Sequence, residues 1–148
     1  MAKTCRMTIT GVDRKSLRVM LVDDDHISAF IYRKIIEKGG VSDHNIHMYL
    51  SGTEALTYLE SHLYSDNNVP DIILLDINMP KMNGWEFLEE YQQRVWPALP
   101  KKVVLCMLSS SVYQNDIKKA LSYRQVDDYI AKPLTTDKLN EFLAKHFG

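Results

Sequence analysis

Ile72-Ile73-Leu74-Leu75-Asp76 is a run of four aliphatic residues closed by a carboxylate. A run this short and this free of polar residues suits a strand buried on both faces, as the inner strands of a parallel sheet are. Residues 103–108, Val-Val-Leu-Cys-Met-Leu, repeat the pattern. Three further apolar runs surround these two: residues 17–22, broken by Arg18, residues 46–50, broken by His47, and residues 126–131, around Asp127 and Asp128. Helical spacing fills the intervals. Ile27, Phe30, Ile31 and Ile35 are followed by the stop Gly39-Gly40, and Ala55, Leu56, Leu59 and Leu63 follow the capping residues Ser51, Gly52 and Thr53. Leu88, Tyr91 and Val95 follow Gly84 and end at Pro97 and Pro100. Ile117, Ala120 and Leu121 come next, and Leu139, Phe142, Leu143 and Phe147 close the chain. Five strand–helix pairs in alternation predict an α/β fold with a parallel sheet and right-handed crossovers.

The 148 residues suit one domain, expected over 17–148 and preceded by a tail over 1–16. Eighteen Lys plus Arg against nineteen Asp plus Glu leave a formal charge of −1, so no global basic field exists to hold nucleic acid or an anionic membrane. The tail carries Lys3, Arg6, Arg14 and Lys15 but no continuous apolar stretch, so it does not read as a secretory signal. Apolar runs elsewhere fall far short of the ~20 residues that span a bilayer. Cys5 and Cys106 are too few for a disulfide framework or a four-cysteine metal site, and a reducing cytoplasm is the expected location.

In open parallel sheets, ligands sit beyond the carboxyl ends of the strands. The polar residues at those ends are Asp23-Asp24-Asp25, Asp76, Ser109-Ser110-Ser111 and Lys132-Pro133. Taken singly, each is an ordinary cap or turn residue, and Asp25 before His26-Ile27 is assigned to such a cap. Taken together, they converge on one sheet edge. Carboxylates packed at one point repel unless a cation neutralises them, and an all-oxygen donor set points to Mg²⁺. A carboxylate beside Mg²⁺, with the Lys132 ammonium and the Ser109 hydroxyl, is equipped to accept a phosphoryl group.

The chain resembles the receiver domain of two-component response regulators, in the stand-alone form without an attached output domain. The resemblance rests on Val22-Asp23-Asp24, on Leu75-Asp76-Ile77-Asn78-Met79-Pro80 continuing to Met82-Asn83-Gly84, on Leu108-Ser109-Ser110, and on Tyr129-Ile130-Ala131-Lys132-Pro133. It implies a flavodoxin-like, doubly wound five-stranded sheet of order 2-1-3-4-5 with five helices. It also implies that Asp76 is the phosphoacceptor for a sensor histidine kinase or a histidine phosphotransfer protein, in a Mg²⁺-dependent reaction. Asp24 would bind the metal directly, Asp23 through water, and Asp76 with the backbone carbonyl of Asn78 would complete the protein ligands. Lys132 would contact the phosphoryl oxygens, with Ser109 drawn toward them and Tyr129 turning inward as a coupled switch. Asn78 and Ser111 would set the lifetime of the phosphoryl group, which the protein itself slowly hydrolyses.

Several positions depart from the family pattern: Ser109 for Thr, Ser110 for Ala, Asn83 for Asp, Arg124-Gln125-Val126 for a Gly-Ala pair, and long segments at 39–45 and 61–70. None removes a chemical group from the set above. The first helix is expected to dock the histidine donor, with Ile27, Phe30 and Ile31 partly committed to the core. Output is expected through contacts of the fourth-helix and fifth-helix face with an unidentified protein target, a phosphorylation-dependent dimer being one form. No direct nucleic-acid contact or membrane insertion is expected. Three alternative functions fit the sequence less well. A phosphohydrolase with an Asp nucleophile needs an acid two residues on, where Asn78 stands. A nucleotide binder needs a Gly-rich loop after the first strand, where carboxylates stand. A phospho-independent scaffold does not need the complete set Asp24, Asp76, Ser109 and Lys132.

Overall fold

The computed structural model describes residues 12–110 and 113–148, so the expectations placed on Lys3, Cys5, Arg6 and Ser111 lie outside the described residues. Five parallel strands form one sheet: β1 (Val19–Val22), β2 (Ile46–Tyr49), β3 (Ile72–Asp76), β4 (Val104–Ser109) and β5 (Asp128–Ala131), in the order β2-β1-β3-β4-β5. Between and after them run α1 (His26–Lys38), α2 (Gly52–Ser61), α3 (Gly84–Arg94), α4 (Gln114–Ser122) and α5 (Thr136–Phe147). This is the flavodoxin-like arrangement expected from the sequence. No described helix is long and apolar enough to cross a membrane.

The central strands β1, β3 and β4 are buried throughout because helices cover both sheet faces. Alternation along each strand divides the core in two. Val19, Leu21, Ile72, Leu74, Cys106 and Leu108 meet Ala29, Tyr32 and Ile36 of α1 and Leu139, Phe142, Leu143 and Phe147 of α5. Met20, Val22, Ile73, Leu75, Leu105 and Met107 meet Ala55, Leu56 and Leu59 of α2, Phe87, Leu88 and Tyr91 of α3, and Ala120 of α4.

Helix starts follow the expected chemistry. The Asp25 side chain accepts from the Ile27 amide at 3.0 Å and from the Ser28 hydroxyl at 3.0 Å, which confirms it as a cap. Ser51 accepts from the Glu54 amide at 3.1 Å. Asn83 and Glu86 form a reciprocal capping box on α3. Before α4 the cap position is Tyr113, which makes no side-chain cap bond, so Ser110 does not cap that helix.

Two periodic patterns are corrected. In α1, Ile27, Phe30 and Ile31 are 72%, 57% and 48% exposed, whereas Ala29, Tyr32 and Ile36 face the sheet. The helix is apolar on opposite sides, and the sheet takes the side that carries Ala29 and Tyr32. In α4, Leu121 is 50% exposed and only Ala120 is fully buried. At the other end of the domain, Val12 packs on the α1/α5 core. The Arg14 guanidinium donates to the Gly39 carbonyl at 3.0 Å and to Asn140 Oδ1 at 2.9 Å. Residues 12–16, read above with the tail, therefore bridge the ends of α1 and α5.

Candidate functional site

The register brings the site together before any side chain is considered. Val22 of β1 pairs with Leu75 of β3, so Asp23 and Asp76 are the next residues out on adjacent strands. Ser109 pairs with Ala131, so Lys132 leaves β5 just beyond it, held by a bond from its amide to the Ser109 carbonyl at 2.8 Å. By strand alternation, Asp23, Asp76 and Lys132 continue the face of Leu21, Leu74 and Ile130, which α1 and α5 cover. The chain turns after β3 because the Gly84 amide donates to the Ile77 carbonyl at 2.8 Å. A Cβ on Gly84 would lie 2.7 Å from Ile77 Cα, so only glycine lets α3 start this close to the end of β3.

Asp23, Asp76 and Ser109 are buried, Asp24 is half-buried, and the Asn78 side chain is exposed. Lys132 Nζ donates to Asp76 Oδ1 at 2.9 Å, and the Asn78 amide donates to the same oxygen at 3.2 Å. Asp23 Oδ1 accepts from the Asp25 amide at 2.9 Å, while its Oδ2 is buried with no hydrogen-bond partner. One oxygen from each of Asp23, Asp24 and Asp76 falls in a cluster within 4.8 Å, the group of metal-ligating type found among the described residues. Asp25 is outside that group, as its capping role requires. Tyr129 is half-buried on β5 and packs against the α2/α3/α4 core.

Charge is unbalanced here. Burial is the main cause that pushes the Asp23 carboxyl up to about 6, and the neighbouring charges of Asp76 and Asp24 add to it. The Asp25 amide and Lys132 offset only part of this. Burial opposes the charge on Lys132 too, but the hydrogen bond to Asp76 and the charges of Asp76 and Asp23 outweigh it and raise the ammonium above the ordinary lysine range. Three carboxylates share one ammonium, and one buried oxygen has no donor. An all-oxygen set with an orphaned acceptor fits a hard divalent cation. Asp76, desolvated and fixed by an ammonium, is disposed for attack on an electrophile that the same cation and Lys132 would neutralise.

Tyr32 was not singled out in the sequence, yet it belongs to the site's surroundings. It is buried on α1, its oxygen is bonded by the Leu134 amide, and burial foremost raises its hydroxyl pKa, with the charges of Lys132, Asp23 and Asp76 near enough to act on it. The available signal was its spacing from Ala29 and Ile36, three and four residues away, which marks the sheet-facing stripe.

The sequence profile of the family described as "Response regulator receiver domain" matches residues 19–144. A crystal structure of a two-component response regulator from Cytophaga hutchinsonii is 39% identical, with a TM-score of 0.78 over 89% of this chain and 97% of that one. A response regulator receiver protein from Dyadobacter fermentans is 30% identical, with a TM-score of 0.73 over 87% of this chain and 96% of that one. Among curated proteins, the hybrid signal transduction histidine kinase L of Dictyostelium discoideum is 28% identical over 87% of this chain, which spans 7% of that kinase. The Candida albicans transcription factor SKN7 is 27% identical over 97% of this chain, which spans 23% of it. The parallel sheet, the clustered carboxylates with their lysine, and a profile match over most of the chain agree: the chain belongs to the response regulator receiver domain family of two-component signalling.

Proposed function

We propose that the chain is a phosphorylation-activated signalling switch in which Asp76 accepts a phosphoryl group from a histidine kinase or a histidine phosphotransfer protein. The observation that carries this reading is the 2.9 Å bond from Lys132 Nζ to the buried Asp76 carboxylate, beside an Asp23 oxygen that lacks a donor. Asp24, Asp76 and the Asn78 carbonyl would hold Mg²⁺, with Asp23 assisting through water. When bound, Mg²⁺ supplies the charge neutralisation that lets an anionic carboxylate approach an anionic phosphoryl group. Asp76 is the nucleophile. Lys132 moves from the carboxylate to the phosphoryl oxygens, and the Ser109 hydroxyl donates to one of them. Tyr129 follows Ser109 inward, which changes the surface of α4, β5 and α5 on which a target protein or a second copy docks. Reversal is slow hydrolysis at the same site, with Asn78 at its mouth.

The partner surface is supported by α1. Ile27, Phe30 and Ile31 lie on its outer side, free of the core, next to the site's Asp23-Asp24 loop. A histidine donor whose helices present an apolar stripe would cover them and bring its imidazole over Asp76. Incubation with Mg²⁺ and acetyl phosphate, read by intact mass, tests the proposal. A single added phosphoryl that needs Mg²⁺ and is absent from Asp76→Asn supports it, and a labelled Asp76→Asn protein overturns it.

A further inference from the structure

A cavity of about 240 Å³ opens beside the carboxylate cluster, between the start of α2 and the loop that follows β3. Leu50, Met79 and Met82 give it an apolar wall, Ser51 and Thr53 add hydroxyls, and Asp24 stands at its border with the acidic site. Its back is tight: a Cβ on Gly52 would come within 2.9 Å of Met82 Sδ and 3.3 Å of Phe87 Cδ2. Lys81, exposed on the rim, adds a cation. A larger cavity of about 560 Å³ lies around Arg18 and Lys101 at the opposite edge of the sheet and shares no residue with the acidic site.

An apolar recess that shares Asp24 with a phosphoacceptor site is unnecessary for accepting the phosphoryl group itself, which is wholly polar. It suits whatever the phosphoryl group arrives on. We infer that this recess is an acyl subsite, so that among acyl phosphate donors the protein favours acyl chains longer than acetyl. The inference rests on the phosphoacceptor reading of Asp76 and adds a chain-length preference to it. In the step, an Asp76 carboxylate oxygen forms a bond to phosphorus. The bond from phosphorus to the acyl oxygen breaks, and its electron pair leaves with a carboxylate. No proton is needed at that leaving group, which explains how the site serves without a general acid. The chain methylenes leave water against Leu50, Met79 and Met82, and the released carboxylate faces the Lys81 ammonium.

Each methylene taken from water is worth about fourfold in affinity, so butyryl phosphate, two methylenes longer than acetyl phosphate, is expected to half-saturate at roughly fifteenfold lower concentration. The test compares rates of single-phosphoryl mass gain from acetyl phosphate, butyryl phosphate and N-phosphoimidazole, which has no acyl chain, in the full chain and in Thr53→Phe and Met82→Ala. Thr53 is exposed on the first turn of α2, so a phenyl ring there narrows the mouth without entering the core. The butyryl preference is expected to vanish in Thr53→Phe and to move to longer chains in Met82→Ala, with N-phosphoimidazole unaffected by either. Butyrylphosphonate, whose phosphorus–carbon bond does not transfer, gives a second readout: its binding shifts the amide resonances of Thr53 and Met82. Equal half-saturation by acetyl and butyryl phosphate, or a preference untouched by Thr53→Phe, overturns the subsite while leaving the phosphoacceptor reading intact. No added mass from any of the three donors overturns both.

Discussion

The two edges of the sheet are built from the same ingredients and end in opposite electrostatic states. At the edge where the strands begin, Asp71 and Asp127 are each matched on both oxygens. Asp71 accepts from Lys101 Nζ at 2.8 Å on one oxygen and from the Arg18 amide at 2.8 Å on the other. Asp127 accepts from Lys102 Nζ at 2.7 Å and from the Leu105 amide at 2.9 Å in the same way. At the edge where the strands finish, three carboxylates share Lys132, and Asp23 Oδ2 is left without a donor. The first edge ties β1, β3, β4 and β5 together. The second carries uncompensated charge that a metal and a phosphoryl group would redistribute. Carboxylates paired one by one serve the structure, and an orphaned oxygen within a cluster of carboxylates points to chemistry.

Substitutions at the two edges should therefore behave differently. The largest effect is expected at Asp76: the nearly isosteric Asp76→Asn should lose phosphorylation altogether by intact mass while its circular dichroism stays native. Asp71→Ala, at the matched edge, should cost about 1–3 kcal/mol in urea unfolding because it strands the Arg18 amide and Lys101, with the rate of phosphorylation unchanged. Asp23→Asn should act in the reverse sense, stabilising the metal-free protein by about 1–2 kcal/mol at pH 7 because a crowded buried charge is removed. The same carboxyl gives a signed pH dependence. With its folded pKa raised to about 6, the native metal-free state holds a proton that the unfolded chain releases. Stability should then rise as pH falls from 7 through 6 toward the ordinary carboxylate range, and that slope should be missing from Asp23→Asn. The smallest effect on stability is expected on the outside of α1. Phe30→Ala should change unfolding by less than about 0.5 kcal/mol. It should nonetheless slow transfer from a phosphohistidine donor protein by about tenfold, with acetyl phosphate unaffected.

The matched and unmatched edges also differ in how far they could be read from sequence. Asp23, Asp24, Asp76, Ser109 and Lys132 each follow an apolar run, and parallel topology alone brings such residues to one edge. The fold and the composition of the site were therefore accessible from run lengths and what ended them. The side of α1 that faces the core was not. Ile27, Phe30 and Ile31 satisfy helical spacing as well as Ala29, Tyr32 and Ile36 do, and the periodicity of one helix carries no information about the direction of the sheet. Tyr32 was missed for the same reason. The orphaned Asp23 oxygen is a property of side-chain geometry, and adjacent aspartates in a sequence do not distinguish a shared site from two solvated turns.

The most direct test is to phosphorylate the protein with acetyl phosphate and Mg²⁺, reduce the acyl phosphate with borohydride, and locate the modified residue by peptide mass mapping. Asp76 converted to homoserine, with no such product from Asp76→Asn, is the result expected of this site. Homoserine at another aspartate, or a stable phosphoryl group that borohydride leaves untouched, would contradict it.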